Sequence, residues 1–117
     1  MILTDEQREL WQKWIAALRS GKYEQGKGIL RDSSDKFCCL GVACNIYDPD
    51  GWEKEPNASV IGYGTPLNIS YMPVEVRQAF GLHGYRQEGL VRMNDRGMPF
   101  EEIADWLEKL MNNGGKQ

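Results

Sequence analysis

The sequence is poor in the residues from which most enzyme sites are built. It has one histidine, His83, and three cysteines among 117 residues. Soft metal ligands are therefore limited to those four side chains, where a structural zinc needs a tetrahedral set. An odd, low cysteine count does not make a secreted disulfide scaffold, and it points to reduced thiols in a cytosolic protein. Basic excess is also missing. Lys and Arg total 14 against 17 Asp and Glu, for a net charge of -3. Nothing in that balance drives binding to nucleic acid or to an anionic membrane. No apolar run approaches the roughly 20 residues of a membrane span. The acidic start Met1-Ile2-Leu3-Thr4-Asp5-Glu6 has no basic n-region, so no signal peptide is expected. Without secretion, the sequon Asn57-Ala58-Ser59 carries no weight. Repeats, low-complexity segments, a P-loop and a dinucleotide fingerprint are all absent from the sequence.

What remains has the composition of an ordinary globular domain, 41% hydrophobic and 26% charged. The length suits one domain, read as residues 1–112 with a flexible tail at 113–117. Thr4 and Gln7 have capping-box spacing, and Leu10, Trp11, Trp14, Ile15 and Leu18 share a face, which predicts a first helix ended by Ser20-Gly21. Residues 28–31 and 36–38 read as a hairpin around the turn cluster Asp32-Ser33-Ser34-Asp35. Cys39 to Tyr47 reads as a buried helix, closed by Asp48-Pro49-Asp50-Gly51. The stretch 52–72 is irregular, with short strands or a covering loop as alternatives. Pro73 to Phe80 reads as a helix with a Schellman-type end at Gly81 and Leu82, and 83–87 as a loop. Glu88 to Asn94 reads as one or two helical turns. The stripe Phe100, Ile103, Ala104, Leu107, Leu110 and Met111 predicts the last helix. The fold class is α+β, with three to four helices packed on a small antiparallel sheet drawn from 28–38 and part of 58–71.

Chemistry could sit in three places. All three thiols lie in Phe37-Cys38-Cys39-Leu40-Gly41-Val42-Ala43-Cys44. At a helix N-terminus, Cys38 or Cys39 could be a thiolate nucleophile, with His83 as its base. The competing reading is core packing, since apolar neighbours surround the thiols and free cysteine is among the most buried residue types. Adjacent Cys38 and Cys39 point to different faces, which disfavours a shared metal ion, and helical spacing disfavours a disulfide to Cys44. The second place is the basic segment 19–36, with five basic and three acidic residues. There Arg19, Lys22, Tyr23, Lys27 and Arg31 are the candidate ligand-binding side chains. Tyr23 offers a stacking face and the glycines allow close backbone approach. The competing reading is a solvated turn at a hairpin edge. In Met93-Asn94-Asp95-Arg96-Gly97, Asn94 and Asp95 are expected to bond local backbone and fix the turn into the last helix. Trp106 lies off the apolar stripe and marks either an interface or a second packing face.

The order of these motifs resembles a family of small, mostly uncharacterised bacteriophage and prophage proteins. The likeness rests on Ala17-Leu18-Arg19-Ser20-Gly21-Lys22-Tyr23 with Gln25, Lys27, Leu30 and Arg31, and on the cysteine run 37–44. It continues in Met72-Pro73 with Val76 before Phe80-Gly81-Leu82, in Met93-Asn94-Asp95-Arg96-Gly97, and in Phe100-Glu101-Glu102-Ile103-Ala104-Asp105-Trp106-Leu107-Glu108. Residues 48–71 fall outside it. The family usually has a small polar residue where this chain has Pro99, and a histidine at position 83 is not part of its pattern. The resemblance implies a phage accessory protein and carries over no catalytic assignment. The leading expectation is a non-enzymatic binding protein without cofactor or metal, acting in the host cytoplasm on a host protein or a small anionic ligand, with host takeover or counter-defence as its uses. A cysteine-dependent hydrolase or transferase and a nucleic-acid-binding regulator are the alternatives. The oligomeric state stays open, a homodimer included.

Overall fold

The computed structural model describes residues 2–54, 61–65 and 67–113. Five helices carry the fold: α1 Asp5–Arg19, α2 Cys39–Tyr47, α3 Val74–Ala79, α4 Gly84–Asp95 and α5 Phe100–Asn113. Two small two-stranded sheets accompany them, so the class is α+β. Among the described residues no helix is long and apolar enough to cross a membrane.

Helix α1 starts where its sequence says it should. Gln7 N–H donates to Thr4 Oγ1 at 3.1 Å, and Thr4 N–H donates to Gln7 Oε1 at 2.9 Å, closing the capping box. Its apolar face is spent on α5 and α2. The rings of Trp11 and Trp14 are fully buried, and burying a polar N–H demands an acceptor. Each finds one: Trp11 Nε1 donates to Phe80 O at 2.6 Å and Trp14 Nε1 to Cys39 O at 2.9 Å. The two indoles thereby tie α1 to the end of α3 and to the start of α2. Gly21 then takes a left-handed φ of 74° and turns the chain out of the helix.

Helix α2 is buried along most of its length, from Cys39 to Cys44. Gly41 permits this. A Cβ there would run into the Leu30 carbonyl, so glycine lets the 28–31 segment lie directly on the helix.

The sheets differ from the single antiparallel sheet that the sequence suggests. β1 Glu24–Gln25 and β2 Lys36–Phe37 pair in parallel, and residues 28–31 meet β2 through one antiparallel bridge, Arg31 to Phe37. The amides of that segment are engaged elsewhere: Gly28 N–H goes to Asp95 Oδ1 and Leu30 N–H to Ile69 O. Around the bridge Asp32 N–H donates to Lys36 O at 2.9 Å and Cys38 N–H to Leu30 O at 3.2 Å, so the hairpin is present in its shortest form and its ladder goes no further. The second sheet is antiparallel, β3 Trp52–Lys54 against β4 Ile61–Tyr63. Residues 55–60 of the irregular stretch lie outside the described residues.

Helix α4 also begins earlier than expected, at Gly84, with His83 in extended conformation as its N-cap. The anticipated loop 83–87 is therefore the first turn of a helix. Gln87 explains why: its side chain is buried and its Oε1 accepts from Met72 N–H at 2.8 Å, a tertiary bond invisible in local propensity. The Schellman end at Gly81 is present, with Leu82 N–H on Arg77 O at 3.0 Å. Asn113 closes α5, and the rest of the expected tail, 114–117, lies outside the described residues.

Candidate functional site

The cysteine run is core. Cys38 is 5% exposed, and Cys39 and Cys44 are fully buried; all three are free thiols. Cys38 is indeed the N-cap of α2, where a helix dipole would favour a thiolate. Burial wins over the dipole. It pushes the Cys38 thiol up from 9.0 to about 11, and it raises Cys39 and Cys44 as well. The Cys39 thiol points at Leu90 O, 3.7 Å away. His83 is elsewhere: it is exposed at the start of α4, its ring stacked on Tyr85. The cysteine–histidine pair is thus not assembled, and the thiols are held protonated. Among the described residues no cluster of His, Cys, Asp and Glu could hold a metal ion.

The motif Met93-Asn94-Asp95-Arg96-Gly97 works over long range rather than locally. Asn94 is fully buried. Its Nδ2 donates to Gly26 O at 2.7 Å, and its Oδ1 accepts from Gln25 Nε2 at 3.0 Å and from Cys39 N–H at 3.1 Å. One amide thereby caps α2, a task Cys38 cannot do, and clamps β1 beside it. Asp95 Oδ1 accepts from Gly28 N–H at 2.9 Å. That backbone donor, the kind a phosphate would seek in a glycine loop, is taken by the protein's own carboxylate.

The five candidate ligand-binding residues differ in how far the fold engages them. Arg19 Nη2 donates to Asp105 at 2.7 Å and to Glu108 at 2.9 Å on α5, and those hydrogen bonds raise its pKa. Arg31 donates twice to Asp35 and lies over the rings of Phe37 and Trp52, 5.1 and 5.3 Å from their centroids. Both guanidiniums are therefore engaged within the fold. Lys27 is exposed, near Gly97. Lys22 and Tyr23 stay together and line a groove of about 450 Å³ with Lys13, Ala16, Ala17, Ser20 and Ile46.

The groove is built by α1, the end of α2 and the segment that leaves α1. Lys13, Ala16 and Ala17 follow one another at helical spacing on α1, Ser20 is its C-cap, and Ile46 comes from the end of α2. Small side chains at 16 and 17 leave the hollow. Tyr23 is fixed in place: its hydroxyl accepts from Asn45 Nδ2 at 2.8 Å, and its ring meets Phe37 edge-on at 5.1 Å. Asn45 in turn accepts from Trp52 Nε1 at 3.0 Å. Lys22 makes no ion pair among the described residues. Lys13 shares an exposed 3.6 Å pair with Glu9, a weak tie. Sequence reasoning reached Lys22 and Tyr23 but missed Lys13, Ala16, Ala17 and Ile46. The signal was present as two alanines one turn after a lysine on the polar side of α1.

A family model, the domain of unknown function DUF8296, matches residues 6–83. The chain belongs to the DUF8296 family. No curated protein and no solved structure matches it. The DUF8296 segment holds every groove residue, from Lys13 to Ile46, and stops short of α4 and α5. Asn94 and Asp95, which clamp the segment after the groove, therefore come from beyond the matched part.

Proposed function

We propose that this DUF8296 protein is a non-enzymatic binding protein of bacteriophage or prophage origin, acting in the host cytoplasm, and that its groove takes a small anionic ligand. The observation that carries the reading is the pairing of unengaged Lys22 with the immobilised ring of Tyr23 over an apolar floor. Ala16, Ala17 and Ile46 accept an apolar or flat body, and Lys22 and Lys13 attract the charged end. The volume lies in the range of ordinary ligand sites, roughly 300–1,000 Å³. An anion with a ring, such as a nucleotide, has the right size and polarity.

Binding without turnover acts by stoichiometry, as sequestration of a signalling molecule would in counter-defence. The buried, protonated thiols support that reading over a cysteine hydrolase or transferase. The acidic net charge and the internally paired Arg19 and Arg31 weigh against a nucleic-acid-binding regulator.

The test is titration of the purified protein with AMP, cyclic AMP and a cyclic dinucleotide, followed by amide chemical shifts and by recovery of the nucleotide. At least one should shift Lys22, Tyr23 and Ile46 and be recovered intact, and Lys13→Glu with Lys22→Glu should weaken it at least tenfold. Capture unaffected by the double reversal, or no shift from any of the three at millimolar concentration, would sink the proposal.

A further inference from the structure

At the joint between α4 and α5 four side chains lie in a row. The His83 ring stacks on Tyr85, with centroids 5.7 Å apart and planes 8° apart. The Arg86 guanidinium sits 5.3 Å from the Tyr85 ring centre and 5.9 Å from that of Trp106 on α5. Tyr85 is 67% exposed, among the most exposed large side chains described. Arg86 has no ion pair among the described residues, and its Nε is buried without a hydrogen-bond acceptor. The carboxylates close in sequence are used or turned elsewhere: Glu88 pairs with Arg92, and Asp105 with Arg19.

An exposed tyrosine and a half-buried tryptophan enclosing an unpaired arginine have the composition of a binding hot spot. Rings on both sides hold the guanidinium still, so little side-chain freedom is left to lose on association. Charge decides the partner. One cation with unfilled planar donors suits one carboxylate, which its two terminal Nη groups can grip end-on while the buried Nε stays out of reach. A polyphosphate strand would want several free cations in line and would approach a molecule of net charge -3. We infer that the row His83–Tyr85–Arg86–Trp106 is a docking surface for an acidic segment of a partner protein, with a carboxylate on Arg86 and an apolar or aromatic neighbour against Tyr85 and Trp106. Tyr85, Arg86 and Trp106 lie beyond the matched segment 6–83, which ends at His83, and none of the four lines the Lys22 groove.

The test uses the full chain labelled with nitrogen-15. The probe is a capped pentapeptide with a tyrosine flanked by two glutamates on each side, and its control replaces the glutamates by glutamine. The glutamate peptide should shift the Trp106 indole N–H and the amides of residues 83–86, at least tenfold more tightly than the control. Arg86→Ala should weaken it at least tenfold, Tyr85→Ala several-fold, and Arg86→Lys should fall between wild type and Arg86→Ala. Retained spectral dispersion checks that each variant is folded. Equal binding of both peptides, an undiminished Arg86→Ala, or no shift at several millimolar would overturn the inference. So would a stronger shift of the same row by oligothymidine, or by raising the protein concentration alone, which would assign the surface to nucleic acid or to a second copy of the chain. The outcome is independent of nucleotide binding at Lys22.

Discussion

Removing one buried amide should cost more than any change on the surface. In Asn94→Ala, the Cys39 N–H and the Gly26 carbonyl both lose their bonds to the Asn94 side chain, while Gln25 Nε2 keeps Met98 O at 2.8 Å. Two buried backbone groups are left unsatisfied, at about 1–3 kcal/mol each. The better helix propensity of alanine returns only about 0.6 kcal/mol. The expected loss is about 3–4 kcal/mol, a large share of the roughly 5–15 kcal/mol that stabilises a domain. Urea unfolding followed by tryptophan fluorescence reads it directly: at a slope of about 2 kcal/mol per molar, the midpoint should fall by nearly 2 M. Thr4→Ala is the comparison. It deletes an exposed cap bond and should cost only about 1 kcal/mol. If Asn94→Ala loses less than Thr4→Ala, the clamp between α4, β1 and α2 is not what holds those elements together.

Two further outcomes follow from the core. Burial raises the folded-state pKa of Cys38, so its contribution is complete below about pH 9 and is lost as pH rises through about 11. The wild type should lose roughly 3 kcal/mol more than Cys38→Ala over that window, and native protein should react with iodoacetamide at neutral pH only after denaturation; fast labelling would restore the nucleophile reading. Gly41→Ala sets two effects against each other: propensity favours alanine by about 1 kcal/mol, while the Leu30 carbonyl in the path of the new methyl should cost about 3 kcal/mol or more. A net gain in thermal midpoint would refute the close approach of the 28–31 segment to α2.

Local patterns made much of the fold legible. The capping box of α1, the stripe of α5 and the Schellman turn after α3 all follow from contacts within a few residues, and they appear where the sequence puts them. The start of α4 was not legible, because Gln87 is recruited by Met72 across a turn. The hairpin around residues 32–35 forms but stays at a single bridge, because the Gly28 and Leu30 amides are claimed by Asp95 and Ile69, far along the chain. At the candidate site, composition identified the right loop but not the right subset. Whether a cation is available depends on where the nearest carboxylate lands, and Asp105 and Glu108 reach Arg19 from the other end of the chain.

By itself, then, the sequence determined the class and the faces of the long helices, because periodicity and capping are short-range physics. Tertiary structure alone decided which charges stay free. It neutralised Arg19 and Arg31, left Lys22 beside Tyr23, isolated His83 from the thiols, and set Arg86 between two rings. Those outcomes depend on distances between residues remote in sequence, and electrostatics acts on distance.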